Sequence, residues 1–243
     1  MSDDTKPIAF DAYEKLADFF AAESDTKPHN AYYDRPAVVG LLPDVQGKNV
    51  LDAGCGSGWY TAWLLERGAR VTGIDMSPKM IEHTRQRTNG RVTLHQADLS
   101  QPLDFLPDAA FDLVVSGLAI HYVSDLPGLL GEFHRVLRTG GLLVFSTGHP
   151  IDELRFSAHG NYFETELVSA TWRKLSIEPV EVPWYRMPLS AFTEGLWQAG
   201  FVIERLVEPR PTPEFKQADP EDYEKLMHMP AFMCIRARKE DRQ

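Results

Sequence analysis

The chain has 243 residues, and 25 Lys and Arg against 35 Asp and Glu give it a formal net charge of −10 at pH 7. A hydrophobic share of 43% and a charged share of 25% are typical of a globular protein and exclude a wholly disordered chain. An acidic surface repels phosphate groups and anionic lipids, so we expect neither a nucleic-acid partner nor a membrane partner. Two cysteines are too few for a disulfide scaffold and the N-terminus has no apolar leader, so we expect a cytoplasmic protein.

Helical patterns come first along the chain. Apolar side chains recur at helical spacing in residues 10–21, and a second, shorter helix is expected over Pro36–Leu42. We interpret residues 10–42 as an N-terminal helical cap on a single domain that spans residues 1–243.

From residue 48 onward, short apolar runs alternate with helical segments. Strands are predicted over Val50–Ala53, Val71–Ile74, Val92–His95, Phe111–Val115 and Leu142–Phe145, with helices over Ser57–Glu66, Pro78–Thr88 and Leu126–Leu137. Because the runs are almost entirely apolar, we expect a parallel sheet that helices cover on both faces. Residues 48–150 are therefore interpreted as a ligand-binding core.

The alternation stops at residues 151–188, which are interpreted as an insertion or lid after the fifth strand. A helix over Leu189–Ala199 and strands over Phe201–Leu206 and Ala231–Ala237 complete residues 189–238. The predicted fold class is α/β, with a doubly wound, mostly parallel seven-stranded sheet.

A glycine-rich turn joins the first strand to its helix in the run Val50-Leu51-Asp52-Ala53-Gly54-Cys55-Gly56-Ser57-Gly58-Trp59. Open α/β sheets bind ligands at the carboxyl ends of their strands, and glycines let a ligand approach the main chain. Trp59 stands where the dinucleotide fingerprint G-x-G-x-x-G has its third glycine, and no P-loop pattern occurs. The turn therefore indicates a ligand without a diphosphate.

Acidic residues follow the first three strands. A carboxylate only accepts hydrogen bonds, so Asp75, at the end of the second strand, suits two ribose hydroxyl groups. Asp98, after the third strand, suits the amino group of adenine, and Asp52 can face an ammonium group. Ribose, adenine and a cation together describe S-adenosylmethionine.

The segments VLDAGCGSG, VTGIDMS, HQADL, FDLVVSGLAIHYVSD and EFHRVLRTGGLLVFS resemble, in this order, the class I S-adenosylmethionine-dependent methyltransferases. The resemblance runs from Asp11 to Ala237 and is greatest to the small-molecule enzymes that include the ubiquinone/menaquinone-biosynthesis type. It implies S-adenosyl-L-methionine as the cofactor. With Asp52, the implied cofactor-binding residues are Tyr13, Tyr33, Arg35, Gly54, Cys55, Gly56, Gly58, Asp75, Met76, Asp98, Leu99, Ser116 and Leu118.

Candidate catalytic residues follow the fourth and fifth strands. His121 and Tyr122 lie where the acceptor meets the cofactor, and an imidazole there is predicted as a general base, with packing as the alternative. His149 is predicted to contact the acceptor. Trp184, Tyr185 and Arg186 either cover the substrate or form the core of the lid. The spacing of the histidines predicts no metal site.

Methyl transfer from a sulfonium is an in-line displacement, for which a protein mainly supplies proximity and alignment. We therefore predict a methyltransferase that is a monomer or a homodimer. Because the cap and lid are rich in aromatic residues, we expect an apolar or aromatic small-molecule acceptor. The alternatives are a methyltransferase acting on a protein or RNA, a non-catalytic S-adenosylmethionine-binding protein and an NAD-dependent oxidoreductase, which Trp59 opposes.

Overall fold

The computed structural model describes residues 6–173 and 177–240, so both chain ends and residues 174–176 of the predicted lid lie outside the described residues. The strands are β1 Asn49–Ala53, β2 Arg70–Asp75, β3 Thr93–Gln96, β4 Phe111–Gly117, β5 Leu137–Gly148, β6 Glu166–Trp172, β7 Val180–Arg186, β8 Phe201–Val207 and β9 Phe232–Lys239. The α-helices are α1 Phe10–Glu23, α2 Arg35–Val39, α3 Trp59–Glu66, α4 Pro78–Arg87, α5 Leu126–Val136, α6 Pro150–Glu153, α7 Leu189–Ala199, α8 Pro213–Ala218 and α9 Pro220–His228.

Seven strands form one sheet in the order β3-β2-β1-β4-β5-β9-β8. Strands β1 to β5 pair in parallel, whereas β9 runs antiparallel to both β5 and β8. The predicted mostly parallel, seven-stranded sheet is therefore confirmed. None of the helices in the described ranges has the length and apolar character needed to cross a bilayer.

Helices cover both faces of the sheet, as the unbroken apolar strands require. Val50 and Leu51 are adjacent on β1 and fully buried, yet they belong to different clusters because successive side chains of a strand point to opposite faces. Val50 lies in the cluster of Leu64 from α3. Leu51 lies in the cluster of Phe133 from α5. The strand ends are thus held between two packed layers.

The N-terminal cap rests on α4 through polar side chains. Glu14 accepts a hydrogen bond from the hydroxyl of Ser77. One turn further along α1, Asp18 lies 2.9 Å from Nε2 of His83, and Asp25 pairs with Arg87 at 2.9 Å. This row of contacts places α1 over the carboxyl ends of the first strands.

The predicted lid contains a second sheet that the sequence pattern did not reveal. Strands β6 and β7 pair antiparallel from Glu166 opposite Arg186 to Trp172 opposite Val180, and they form a separate hairpin. Val180 of β7 packs in one buried cluster with Leu16 and Phe19 of α1. The cap and the hairpin therefore pack against each other above the carboxyl ends of the strands.

Arg186 is fully buried, in agreement with the interpretation that it forms part of the core of the lid. Its Nη2 donates hydrogen bonds of 2.8 Å to the carbonyl oxygens of Asn161 and Glu164, and its Nη1 donates one of 3.3 Å to that of Tyr162. The guanidinium also lies 3.4 Å from the carboxylate of Glu166. Arg186 thus ties the loop before β6 to the end of β7. Tyr185 is partly buried against the main core.

Replacement of Arg186 by Met is expected to lower the free energy of unfolding by about 2–3 kcal/mol, because several acceptors lose a charged donor at once. Urea unfolding followed by circular dichroism measures the change. Arg205→Met, at an exposed site on β8, is the control and should stay within about 0.5 kcal/mol of the wild type. Equal free energies of unfolding for Arg186→Met and the wild type would show that the hydrogen bonds of Arg186 do not stabilise the loop before β6.

Candidate functional site

A cavity of about 750 Å³ lies at the carboxyl ends of β1, β2 and β4, beneath α1 and the β6–β7 hairpin. This volume is within the range of ligand pockets, about 300–1,000 Å³. The predicted residues that line it are Tyr13, Arg35, Gly54, Cys55, Gly56, Asp75, Met76, Asp98, Leu99, Leu118, His121 and Tyr122. Residues from most of the length of the chain thus meet in one site.

The glycines after β1 shape the floor of the cavity. Gly54 has a φ of 77°, and a Cβ there would lie 2.4 Å from the Cβ of Ala119, so no side chain fits. Gly56 has a φ of 54°, with nothing within 4 Å of a Cβ position, so its backbone is open to a ligand. A Cβ on Gly58 would instead lie 2.7 Å from Thr84, and Gly58 is outside the lining.

Asp75 links this turn to the end of β2. Its two carboxylate oxygens accept hydrogen bonds of 2.9 Å from the backbone N–H groups of Gly56 and Ser77. Burial raises the pKa of Asp75 to about 6, and these two bonds oppose the shift. Each oxygen keeps a lone pair for a ligand, since a carboxylate has about four acceptor sites.

The next two loops contribute Asp98 and Leu118 to the lining. The carboxylate of Asp98 accepts a 2.9 Å hydrogen bond from the backbone N–H of Ser100, which fixes the loop after β3. Leu118, after β4, has a φ of 51°, an uncommon conformation for a residue with a side chain. Its N–H donates to the carbonyl oxygen and to the hydroxyl of Ser146, both at 3.1 Å. Strained backbone of this kind concentrates at functional sites.

Arg35 and the Tyr13–Tyr122 pair close the cavity on the cap side. The guanidinium of Arg35 donates a 2.7 Å hydrogen bond to the carbonyl of Ser24 and lies 4.5 Å from the centre of the Trp59 ring. The hydroxyl oxygens of Tyr13 and Tyr122 are 2.6 Å apart, which joins α1 to the turn after β4. Burial raises the pKa of Tyr13 to about 12, so this pair stays protonated at neutral pH.

His121 lines the cavity, but its environment differs from the expected one. Its Nδ1 lies 3.2 Å from the hydroxyl oxygen of Thr147, and burial lowers the pKa of the imidazole to about 4. The expectation of a pKa near working pH is therefore wrong. The ring is neutral at pH 7 and is a weak base.

Four further predicted residues turn away from the cavity lining. Asp52 accepts a 2.5 Å hydrogen bond from the hydroxyl of Thr61 on α3, and its other oxygen has no partner in the described structure. Strand alternation explains this, because Asp52 shares a face of β1 with Val50, the face that α3 covers. Ser116 donates a 2.8 Å hydrogen bond to the carbonyl of Ala53.

Tyr33 and His149 complete this correction. The hydroxyl of Tyr33 accepts a 3.0 Å hydrogen bond from the N–H of Ala231, so its ring supports the start of β9. His149 lies 2.9 Å from the carboxylate of Glu208 and caps α6 instead of contacting the cavity. Both side chains therefore support the cavity wall from outside the cavity. A sequence motif in a loop does not indicate the direction in which such a side chain points.

The sequence pattern missed several residues on the side of the cavity formed by the cap, the hairpin and the segment after β5. These residues include Phe20, Lys27, Asp152, Glu153, Arg155 and Phe156. Trp172 was predicted only as one of the aromatic residues of the lid, and Trp184 also as one of two options. The abundance of aromatic residues in the cap and lid was the available signal. It indicated an apolar site without identifying which rings face it.

Comparison with known proteins places this geometry in a family. Residues 51–145 match the family model described as a methyltransferase domain. A solved S-adenosylmethionine-dependent methyltransferase from Mesorhizobium loti is 30% identical, with a TM-score of 0.73 over 88% of this chain and 99% of that chain. The chain belongs to the S-adenosylmethionine-dependent methyltransferases. The resemblance inferred from the motifs is therefore confirmed.

Two relatives of this methyltransferase have the same name, malonyl-[acyl-carrier protein] O-methyltransferase. The protein from Salmonella typhimurium is 32% identical over 195 residues, which are 74% of this chain and 74% of the relative. The protein from Serratia marcescens is 42% identical over 45% of this chain, and the match spans only 42% of its own length.

The cofactor of this methyltransferase is S-adenosylmethionine, as predicted. The residues present fit it, because the open backbone at Gly56 leaves a cradle that a side chain would fill. The acceptor-only carboxylate of Asp75 lies beside that cradle. Cys55 also lines it, and burial raises the pKa of its thiol well above the ordinary value, so Cys55 is not a nucleophile at neutral pH.

Gly54→Ala is expected to weaken binding of S-adenosylhomocysteine at least about tenfold, because the new methyl group displaces the loop that contains Ala119. Gly47→Ala is a matched control, since Gly47 also has a positive φ, of 70°, but open space around a Cβ position. Both variants introduce backbone strain at a positive φ, and only Gly54→Ala adds the clash with Ala119. Isothermal titration calorimetry would contradict the assignment if both variants bound like the wild type.

Proposed function

We propose that this methyltransferase transfers the methyl group of S-adenosylmethionine to a small-molecule acceptor. One observation supports this most directly. A single cavity joins the strand ends around Gly56 and Asp75 to an aromatic chamber. We define this acceptor chamber by its aromatic rings, which are Phe20, Tyr122, Phe156, Trp172 and Trp184. An acceptor there lies beside the cofactor in the same enclosed space.

Within this proposal, the residues at the strand ends hold the cofactor. Asp75 accepts hydrogen bonds from the ribose, and Asp98 with Leu99 binds the adenine, on which Met76 packs. The backbone from Gly54 to Gly56 lies along the methionine part, with Leu118 opposite. Supporting contacts are the 2.9 Å bond that fixes Asp75 to Gly56 and the bond of the same length that fixes Asp98 to Ser100.

When bound, S-adenosylmethionine supplies an electrophilic methyl group, whose C–S bond breaks as a lone pair of the acceptor bonds to the methyl carbon. The chain itself contributes alignment and the exclusion of water. The Tyr13–Tyr122 bond holds the cap across the site, and the packing of α1 on β7 closes the chamber. Neutral His121 can orient the acceptor through a hydrogen bond.

The relatives support an oxygen atom as the methyl acceptor, since both are named O-methyltransferases. The net charge of −10 supports a small molecule over a nucleic acid. The aromatic rings of the chamber support an acceptor with an apolar or aromatic body.

A screen with labelled cofactor tests the proposal. Purified protein is incubated with a metabolite extract and methyl-labelled S-adenosylmethionine, and labelled products are separated by size and identified by mass spectrometry. We expect label in a small organic compound. Label in protein or RNA alone would contradict the proposal, as would cofactor binding without any labelled product.

Asp75→Asn is expected to weaken S-adenosylhomocysteine binding at least about tenfold, because an amide cannot replace a carboxylate that accepts several hydrogen bonds. Asp52→Asn is the contrasting variant. Since Asp52 faces Thr61 and lies outside the lining, affinity should stay within about threefold of the wild type. Calorimetry on folded variants would overturn the assignment if Asp52→Asn lost affinity and Asp75→Asn kept it.

A further inference from the structure

Arg35, the first residue of α2, is a buried cation in the lining of the cavity, with 6% of its surface exposed. Its Nη1 donates the 2.7 Å hydrogen bond to the carbonyl of Ser24, at the C-terminal end of α1. The last carbonyls of a helix and the helix dipole both favour a positive charge at that end. Arg35 therefore holds the end of α1 against the rest of the domain.

The Arg35 guanidinium has no carboxylate within 4.0 Å in the described ranges, and Nη1 forms its only hydrogen bond there. Asp34, the preceding residue, instead accepts a 2.7 Å hydrogen bond from the hydroxyl of Tyr60. Nε and Nη2 of Arg35 are not among the fully buried polar atoms, so this edge is accessible from the cavity. Burial lowers the pKa of the guanidinium, as expected for a cation that lacks a counter-ion.

The accessible edge suits a carboxylate, because the N–H groups of Nε and Nη2 are parallel and match its two oxygens. It lies next to the glycine turn after β1. The guanidinium is 4.5 Å from the ring centre of Trp59, which directly follows that turn. In the proposed function, the backbone from Gly54 to Gly56 lies along the methionine part of the cofactor. The carboxylate of that part is therefore the anion available to Arg35.

The end of α1 also forms part of the acceptor chamber. The N–H of Ser24 donates a 3.1 Å hydrogen bond to the carbonyl of Phe20, one turn earlier on α1. The hydroxyl of Ser57, in the glycine turn, donates a 3.4 Å hydrogen bond to the same carbonyl. The ring of Phe20 lies 6.3 Å from that of Trp172, on the hairpin. The position of this end of α1 therefore determines whether that wall of the chamber is in place.

We propose that Arg35 is a positioning residue that couples the cofactor to the cap. Its Nε and Nη2 pair with the carboxylate of S-adenosylmethionine while Nη1 holds the carbonyl of Ser24. This inference rests on the proposed function for the position of the cofactor and adds a control on that site. Without the cofactor, the buried guanidinium lacks a counter-ion, and displacement of α1 exposes it to water. The acceptor chamber is thus completed when the cofactor binds.

Hydrogen–deuterium exchange of the backbone amides of α1 tests this coupling without turnover. The protein is saturated either with S-adenosylhomocysteine or with its decarboxylated analogue, which keeps the adenosine and the amino group. We expect residues 10–23 to exchange at least about tenfold more slowly with S-adenosylhomocysteine, because only this ligand supplies the counter-ion. Residues 70–75, on β2, should exchange equally in both complexes.

Equal protection of α1 by the two ligands would overturn the inference. A purely structural Arg35 predicts this equality, because its bond to Ser24 is present whichever ligand is bound. Since the two ligands are compared within the wild-type protein, the result does not depend on the stability of any variant.

Arg35→Gln removes the charge and keeps a donor for the carbonyl of Ser24. In this variant, α1 should exchange at the same rate with either ligand. The matched control is Arg67→Gln, since Arg67 also lies over a tryptophan, 3.8 Å from the ring centre of Trp63, but is exposed and outside the lining. Arg67→Gln should keep the full wild-type difference. A difference that persists in Arg35→Gln, or disappears in both variants, would contradict the pairing.

The coupling and the proposed function fail separately. If both ligands protect α1 equally but the extract yields a methylated small compound, only the coupling fails. If protection depends on the carboxylate but label enters protein or RNA alone, only the proposed function fails.

Discussion

The site depends on the two hydrogen bonds that the carboxylate of Asp75 accepts from the backbone. Its bonds to the backbone of Gly56 and Ser77 hold the turn after β1 and the start of α4 to the end of β2. The sheet alone fixes strands, not the loops between them. A half-buried acceptor that ties two loops together therefore sets the shape of the cavity floor before any ligand binds.

The parts of this fold that the sequence predicted are those that local physics determines. Unbroken apolar runs require burial on both faces, and this requirement leads to the parallel sheet. The glycine turn and Asp75 were found because each follows a strand end, where ligands of such sheets bind. Asp52 and Ser116 lie near the same edge. The direction of their side chains depends on strand alternation and on α3, which a motif does not describe.

The acceptor chamber was beyond sequence reasoning for a different reason. The β6–β7 hairpin packs through tertiary contacts with α1, and neither segment identifies its partner by periodicity alone. Glu153 resembles any surface acid in the printed sequence. Its position in the cavity follows from the missing side chain of Gly148 and from the bend after β5. The lowered pKa of His121 likewise arises from burial, which only the assembled fold creates.

The contacts that hold the N-terminal cap differ in strength between its two sides. Along α4 it is held by Asp18–His83 and Asp25–Arg87, and Asp18 is largely exposed, so water and salt weaken such pairs to about 0–1 kcal/mol each. Along the hairpin it is held by Leu16 and Phe19, which are buried. Salt therefore weakens the contacts of α1 with α4 more than its apolar contacts with the hairpin.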